Sequence, residues 1–507
     1  TMPVPAAGRS TGERLTPTGS PGYSVKGRFL ITDLEDTYMY RGHRFVLVAI
    51  ACSSLVANAR AVKADVGIGA KPVEGAEMLI DGSREMLDEK WTYWKGPGFK
   101  SSLPIKWKIV DDPIDGGTVV MTDDPAAAGG RFGAADIVTK KEYRDFRLHI
   151  EFLIANPGGN SGVYLQNRHE IQVLDEDKTT HGLGAVINES ESPYFAYNGR
   201  GNWNAWDITF RAARFKGGKR TEKSRVTMYF NGQKVHTDFE INKVWGGPNS
   251  GIDGGNDGGN GITDTPGGLK LQCEGHDVRY RNTWIKELNL ELPETDFSEL
   301  SVTQSLIPKS ETVEHLFNSK DLSGWKGDTT RWAATNGMIR GANDDQVPSS
   351  TYLFTEKSYR NFRLIFDVKQ TMSDQHSTMH SAVAALGERF TDAGENTFGF
   401  KGPLLMFCHD WGIWDAHRRN RVVPGGPGGE VEKKGEWNQI EILVTGDRLR
   451  FAANGREIFD FTDQTEMLQP SSIGLQLHSN DKPQEYHFRG LLLTENPEGD
   501  LVTVKTR

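Results

Sequence analysis

Alternation of apolar and polar positions is the strongest signal along this chain. Phe146, Leu148, Ile150, Phe152 and Ile154 alternate with Arg147, His149 and Glu151, which predicts an antiparallel strand with one buried and one solvated face. Phe362, Leu364, Phe366 and Val368 repeat the pattern. Val226 to Phe230 and Lys234 to Phe239 flank Asn231-Gly232, a pair that favours the positive φ of a tight hairpin turn. Stretches with helical periodicity are scarce, and aromatic and β-branched residues recur together, so the expected fold class is all-β.

The segment 160–175, NSGVYLQNRHEIQVLD, combines strand periodicity with the densest set of reactive groups. Run as one extended strand, it places Tyr164, Gln166, Arg168, Glu170 and Gln172 on one face, with Val163, Leu165, Ile171 and Val173 on the other. Gln166-Asn167-Arg168 serves equally well as a hairpin turn, in which case Tyr164 and Glu170 sit on neighbouring strands of one sheet. Either geometry leaves Glu170 and Gln172 side by side. Asp175 falls on the opposite face and joins them only through a bulge near Val173 or Leu174. Asn160-Ser161-Gly162 predicts a turn that lets a ligand approach the backbone closely. His169 falls on the apolar side and reads as structural.

An internal repeat sets the architecture. TKKEYRDFRL (139–148) recurs as TEKSYRNFRL (355–364), GNWNAWDI (201–208) as GEWNQIEI (435–442), Asn231-Gly232 as Asn454-Gly455, and Leu271-Gln272 as Leu475-Gln476. Four landmarks in one order predict duplicated domains, 74–292 and 313–496, joined by a polar linker at 293–312. Short strands with Gly-containing turns in units of this size predict two tandem jelly-roll β-sandwiches of the concanavalin or laminin-G type.

With 507 residues the chain exceeds what one hydrophobic core organises, and its net charge of -9, with both signs interspersed, gives no footprint for nucleic acid. Residues 39–61 read as a secretory signal peptide: Arg41 and Arg44, an apolar run from Phe45 to Val56, then Ala59-Arg60-Ala61. The run is too short to span a bilayer. Export to the periplasm or exterior is therefore expected, with residues 1–38 an upstream non-native extension. Lipid attachment at Cys52 is the minor alternative. Cys273 and Cys408 then remain, too few for a disulfide framework. The Gly/Asn/Asp segment 246–268 offers oxygen ligands for calcium but lacks the fixed spacing of a calcium loop. His376 and His380 lack the helical context and intervening Glu of a zinc pair, so neither cofactor nor metal is expected.

Both repeats resemble the bacterial 3-keto-disaccharide hydrolase domain family. The resemblance rests on FNSKDLSGW (317–325), TKKEYRDFRLHIEF, NSGVYLQNRHEIQVLD, GNWNAWDITFRAARF and LQCEGHDVRYRNTWI (271–285). It implies a concanavalin-like jelly roll and cleavage of glycosides oxidised at C3. A ketone at C3 acidifies the C2 hydrogen, so the chemistry needs a base, donors for an oxyanion and an acid for the leaving oxygen. Glu170 is the expected base, and Asp175 or His276 the acid. Asn160, Gln166, Arg168, Gln172, Gln272 and Glu274 are the expected substrate-binding groups. In the second copy Leu405 and Phe407 align with Glu170 and Gln172, while Asp415, His417, Arg418 and His478 retain another part of the family's polar set. No dinucleotide fingerprint is present, which assigns the C3 oxidation to a separate sugar 3-dehydrogenase. Two other readings compete: a tandem carbohydrate-binding protein, with Trp203, Trp206, Trp411 and Trp414 as platforms, and a retaining endoglucanase, whose EIDIxE strand resembles Glu170 to Asp175. Trp203 and Trp437 occupy equivalent repeat positions and read as core.

Overall fold

The computed structural model describes residues 66–96, 99–124, 133–191, 196–245, 261–290, 302–391, 398–407, 412–415, 420–424 and 426–504. The signal-like segment and residues 246–260 of the Gly/Asn/Asp stretch lie outside them.

Two β-sandwiches follow one another. In the first, an eight-stranded antiparallel sheet runs in the order Gln233–Ile241, Ser224–Phe230, Asn204–Arg211, Asp145–Ile154, Val278–Leu288, Thr118–Met121, Lys108–Asp111, with Glu77–Ile80 also pairing to Val278–Leu288. A five-stranded sheet faces it: Trp91–Tyr93, Ile137–Thr139, Lys270–Leu271, Asn160–Leu165, His169–Leu174. The alternating residues Leu148, Ile150 and Phe152 meet Val163, Ile171 and Leu271 in one core. The second sandwich repeats the plan with an eight-stranded and a seven-stranded sheet and its own core.

The landmarks of the repeat are equivalent in three dimensions. Tyr143 Oη and Tyr359 Oη each donate to a glutamate, Glu77 and Glu314, at 3.4 Å. Asn231 Nδ2 donates to Asn204 Oδ1 at 2.9 Å, and Asn454 Nδ2 to Asn438 Oδ1 at 2.8 Å. Each Asn-Gly turn is thereby tied to the start of the strand beside it. Trp203 and Trp437 are both buried under an arginine, Arg281 at 4.2 Å and Arg489 at 3.9 Å from the ring centre.

One expectation fails. The strand Asp145–Ile154 is buried on both faces, because its polar side is roofed rather than solvated. His149 Nδ1 lies 2.6 Å from Asp207, and Glu151 takes Arg281 Nε at 2.8 Å. Burial disfavours the charged imidazole, yet Asp207 and Glu151 together hold its pKa up at about 9. The segment 66–70 lies across this cluster: Gly67 N donates to Asp207 at 2.7 Å, Gly69 N donates to Glu151, and Ala70 O accepts from Asn282 at 3.0 Å.

The sandwiches meet through paired charges. Lys234 Nζ lies 3.1 Å from Asp367 and Arg489 Nη1 3.2 Å from Asp238. Lys433 Nζ donates to Val235 O at 2.9 Å and Ser190 Oγ at 3.2 Å, and its burial lowers its pKa to about 8.

Candidate functional site

Gln166 and Asn167 both adopt positive φ, 54° and 56°, so the segment 160–174 is a tight hairpin and not one strand. Its register pairs Tyr164 with Glu170, Gly162 with Gln172 and Asn160 with Leu174. Lys270 pairs with Tyr164 on the other side, and Gln272 N donates to Gly162 O at 3.0 Å. Alternation then gathers Asn160, Gly162, Tyr164, Glu170, Gln172, Lys270 and Gln272 on the outer face of the five-stranded sheet, while Val163, Leu165, Ile171, Val173 and Leu271 enter the core.

The turn removes Gln166 and Arg168 from that face. Gln166 Nε2 donates to the carbonyls of Thr263 and Thr265, at 3.3 and 2.6 Å. Arg168 donates to Gly261 O at 2.9 Å and Gln166 O at 2.7 Å. Both side chains fasten the 261–265 segment to the hairpin. The assumed bulge is also absent, since the register runs unbroken to Leu174. Asp175 instead accepts from Arg200 at 2.7 Å and Tyr197 at 3.1 Å, a bound carboxylate at the strand end. Without the bulge, Asp175 does not join Glu170 on one face of the strand, the arrangement that the endoglucanase reading calls for. His276 lies beyond the sheet, where its carbonyl accepts from Thr122 and Val278 as the chain enters the opposite sheet. His169 is in the core beside Ser224, and burial pushes its pKa to about 3.

At the centre is Lys270, fully buried, with Nζ 3.5 Å from the Tyr164 ring centre, 3.9 Å from that of Trp94 and 3.5 Å from Asp136 Oδ2. Three carboxyls surround it. Burial raises Glu170 to about 8, with Lys270 and the Tyr164 hydroxyl pulling down and Glu274 and Asp136 pushing up. Burial and then Asp136 raise Glu274 to about 7, against Lys270. Burial raises Asp136, whose Oδ1 accepts from Cys273 N at 2.9 Å. Lys270 is itself lowered by burial and held up by Asp136 and Glu170. One ammonium cannot compensate three carboxylates in so dry a place, so the cluster keeps a proton near neutrality.

Around it, Gln272 Nε2 donates to Tyr164 Oη at 3.2 Å. The buried amide oxygens of Asn160 and Gln172 have no partner among the described residues. Such acceptors are costly unless a ligand donates to them. Lys270, Asp136 and Trp94 were not among the sequence-predicted groups. The signal for Lys270 was available: in Leu269-Lys270-Leu271-Gln272-Cys273 the flanking apolar residues are core, which puts Lys270 on the face of Gln272.

The second sandwich corrects the repeat alignment. Leu475 pairs with Val383 and Gly474 with Ala384, as Leu271 pairs with Val163 and Lys270 with Tyr164. Ala384 pairs with Leu404 and Ala382 with Met406. Leu404 and Met406 therefore stand where Glu170 and Gln172 do, and Leu405 and Phe407 point into the core. Ser161 and Ser381 confirm the match, each donating to the carbonyl of the equivalent glutamine, Gln272 at 2.6 Å and Gln476 at 2.8 Å. Tyr352 replaces Asp136, Gly474 replaces Lys270 and His478 replaces Glu274. Asp415 closes the strand Ile413–Asp415; His417 and Arg418 lie outside the described residues.

A family model, the 3-keto-alpha-glucoside-1,2-lyase-like domain, matches residues 75–286 and 312–494, most of the chain. Among solved structures, a candidate glycosyl hydrolase from Parabacteroides distasonis is 26% identical, over 42% of this chain and 84% of its own, with a TM-score of 0.32. The carbohydrate-binding module CBM66 from Bacillus subtilis is 14% identical over 34% and 96%, TM-score 0.26, and the Bacillus licheniformis β-glucanase 11% over 37% and 98%, TM-score 0.26. No curated protein matches the chain.

Proposed function

Since the chain belongs to the 3-keto-alpha-glucoside-1,2-lyase-like domain family through both sandwiches, and is a carbohydrate-active protein, we propose that its first sandwich cleaves glycosides already oxidised at C3. The observation that supports this reading is the proton-sharing carboxyl cluster around Lys270. Glu170, in its ionised form, takes the C2 proton. The C2–H electron pair then moves toward the C3 ketone, whose developing oxyanion is stabilised by the positive charge of the buried Lys270. Collapse of that enolate forms the C1–C2 double bond and breaks the bond from C1 to the glycosidic oxygen, which Glu274 protonates. Water adds across the double bond, hydroxyl to C1 and hydrogen to C2, to give net hydrolysis. Acid and base work best with pKa values near the operating pH, as about 7 and about 8 are. Asn160, Gln172 and Gln272 receive sugar hydroxyls. Glu274 thus takes the acid's part in place of Asp175 and His276.

The experiment is turnover of a 3-keto-glucoside in deuterated water. Wild type is expected to release the aglycone and incorporate deuterium at C2. Glu170→Gln, nearly isosteric but no base, is expected to lower turnover by roughly 10² to 10⁴. Undiminished activity in that variant removes the reading.

The ketone arrives with the substrate, so the oxidation belongs to a separate sugar 3-dehydrogenase. Residues 39–61 carry the protein out of the cytoplasm, and sequencing the mature N-terminus tests this: it is expected near Val62, and retention of Thr1 rules it out.

A further inference from the structure

The place in the second sandwich that answers to the carboxyl site is a cavity of about 570 Å³. That size lies within the ~300–1,000 Å³ of pockets that enclose drug-sized ligands. One wall is apolar and aromatic, formed by Tyr352, Phe400, Leu404, Met406 and Trp414, and the exposed Lys401 stands at the edge of the cavity. At each register position where the first sandwich turns an ionisable group toward this space, the second carries one without charge: Tyr352, Leu404, Gly474 and His478 in place of Asp136, Glu170, Lys270 and Glu274. His478 donates from Nδ1 to Ser479 O at 2.7 Å, and burial lowers its pKa, so the ring is neutral and Nε2 keeps a lone pair.

Gln476 is the second and independent observation. It is 1% exposed and lines the cavity. Its Nε2 donates to Tyr352 Oη at 3.1 Å, while its Oε1 is buried without a partner among the described residues. A buried amide oxygen left empty is destabilising, and a ligand hydroxyl relieves it. The cavity therefore offers acceptors at one end, aromatic faces along its wall, and among the described lining residues no carboxylate to act as acid or base.

We infer that the second sandwich is a receptor that binds a neutral, unoxidised hexopyranoside and does not cleave it, the ring's apolar face lying on the aromatic wall and its hydroxyls donating to Gln476 Oε1 and His478 Nε2. The choice of a sugar rests on the carbohydrate reading of the family; the receptor itself, without a carboxylate among its described lining residues and with Lys401 at its edge, rests on the second sandwich alone.

The test is calorimetric titration of the full chain with maltose and with cellobiose, in wild type, Glu170→Gln, Gln476→Met and Trp414→Ala. Wild type and Glu170→Gln are expected to bind at least one of the two sugars equally well, and the other two variants to bind it at least tenfold more weakly. Trp414 is only half-buried, so its variant carries the test if Gln476→Met does not fold. Lack of binding of either sugar by wild type, binding that survives both second-sandwich variants, or binding lost in Glu170→Gln overturns the inference. Cleavage of a 3-keto-glucoside by the same wild-type preparation is read separately: binding without cleavage keeps the receptor and sinks the proposed reaction, and cleavage without binding does the reverse.

Discussion

Gly162 lies so close beneath Glu170 that a β-carbon there would sit 2.1 Å from the carboxyl Oε1 and 2.9 Å from the Tyr164 ring. The only side chain that fits is none. Gly162→Ala is therefore expected to displace the Glu170 carboxyl and lower kcat on a 3-keto-glucoside by at least about tenfold, with overpacking costing ~1–3 kcal/mol. Steady-state kinetics beside a thermal melt checks this; a lower Tm with unchanged kcat would show that the carboxyl position is immaterial.

Lys270 lowers the pKa of both Glu170 and Glu274. Lys270→Met is expected to move the acid limb of the kcat/KM profile to higher pH, because Glu170 then loses its proton later. A pH–rate profile measures it, and an unmoved limb would place the essential base elsewhere.

The raised carboxyls also fix a stability trend. Glu170 goes from its ordinary value of 4.5 to about 8 on folding. The native state thus holds a proton that the unfolded chain has released, and stability falls as pH rises from about 4.5 to about 8, by on the order of a few kcal/mol. Glu170→Gln abolishes this contribution. Its Tm is expected to exceed that of wild type at pH 8, with the gap closing toward pH 5; calorimetry at the two pH values decides.

The register correction has its own test in the strand Pro403–Phe407. Leu405 is in the core, so Leu405→Ala is expected to cost ~2–5 kcal/mol, whereas Leu404→Ala, which trims the cavity wall, costs distinctly less. Denaturant unfolding that ranks them in the opposite order restores the sequence-based alignment.

That misalignment shows where sequence patterning runs out. The strands around Phe146 and Phe362 were legible because apolar and polar residues alternate there. Pro403-Leu-Leu-Met-Phe407 is apolar at every position and carries no phase, so nothing in it says which side chains face inward. Glu170 and Gln172 were paired by either geometry of the hairpin, but the left-handed Gln166 and Asn167 took Gln166 and Arg168 off the face. Lys270 escaped notice because a lysine in a strand ordinarily marks a solvated surface, and here three carboxyls and two aromatic rings take the place of solvent. Asp175 needed tertiary information: its partner Arg200 lies 25 residues downstream.

Lys433 ties the sandwiches together through Val235 and Ser190. Lys433→Met leaves those acceptors unpaired at ~1–3 kcal/mol. Differential scanning calorimetry is expected to show the two sandwiches melting apart in the variant, and a single transition at the wild-type temperature would assign the coupling to the Lys234 and Arg489 pairs instead.

The strap at 66–70 sets an order of events during synthesis. Its five residues precede the three side chains they hydrogen-bond, Glu151, Asp207 and Asn282, the last some 212 positions away. The chain must be made through the strand Val278–Leu288 before the strap has all three of these hydrogen-bond partners to close on. Until then Glu151 and Asp207 stay open to water, and the strap is among the last parts of the first sandwich to lock although it is the first to leave the ribosome.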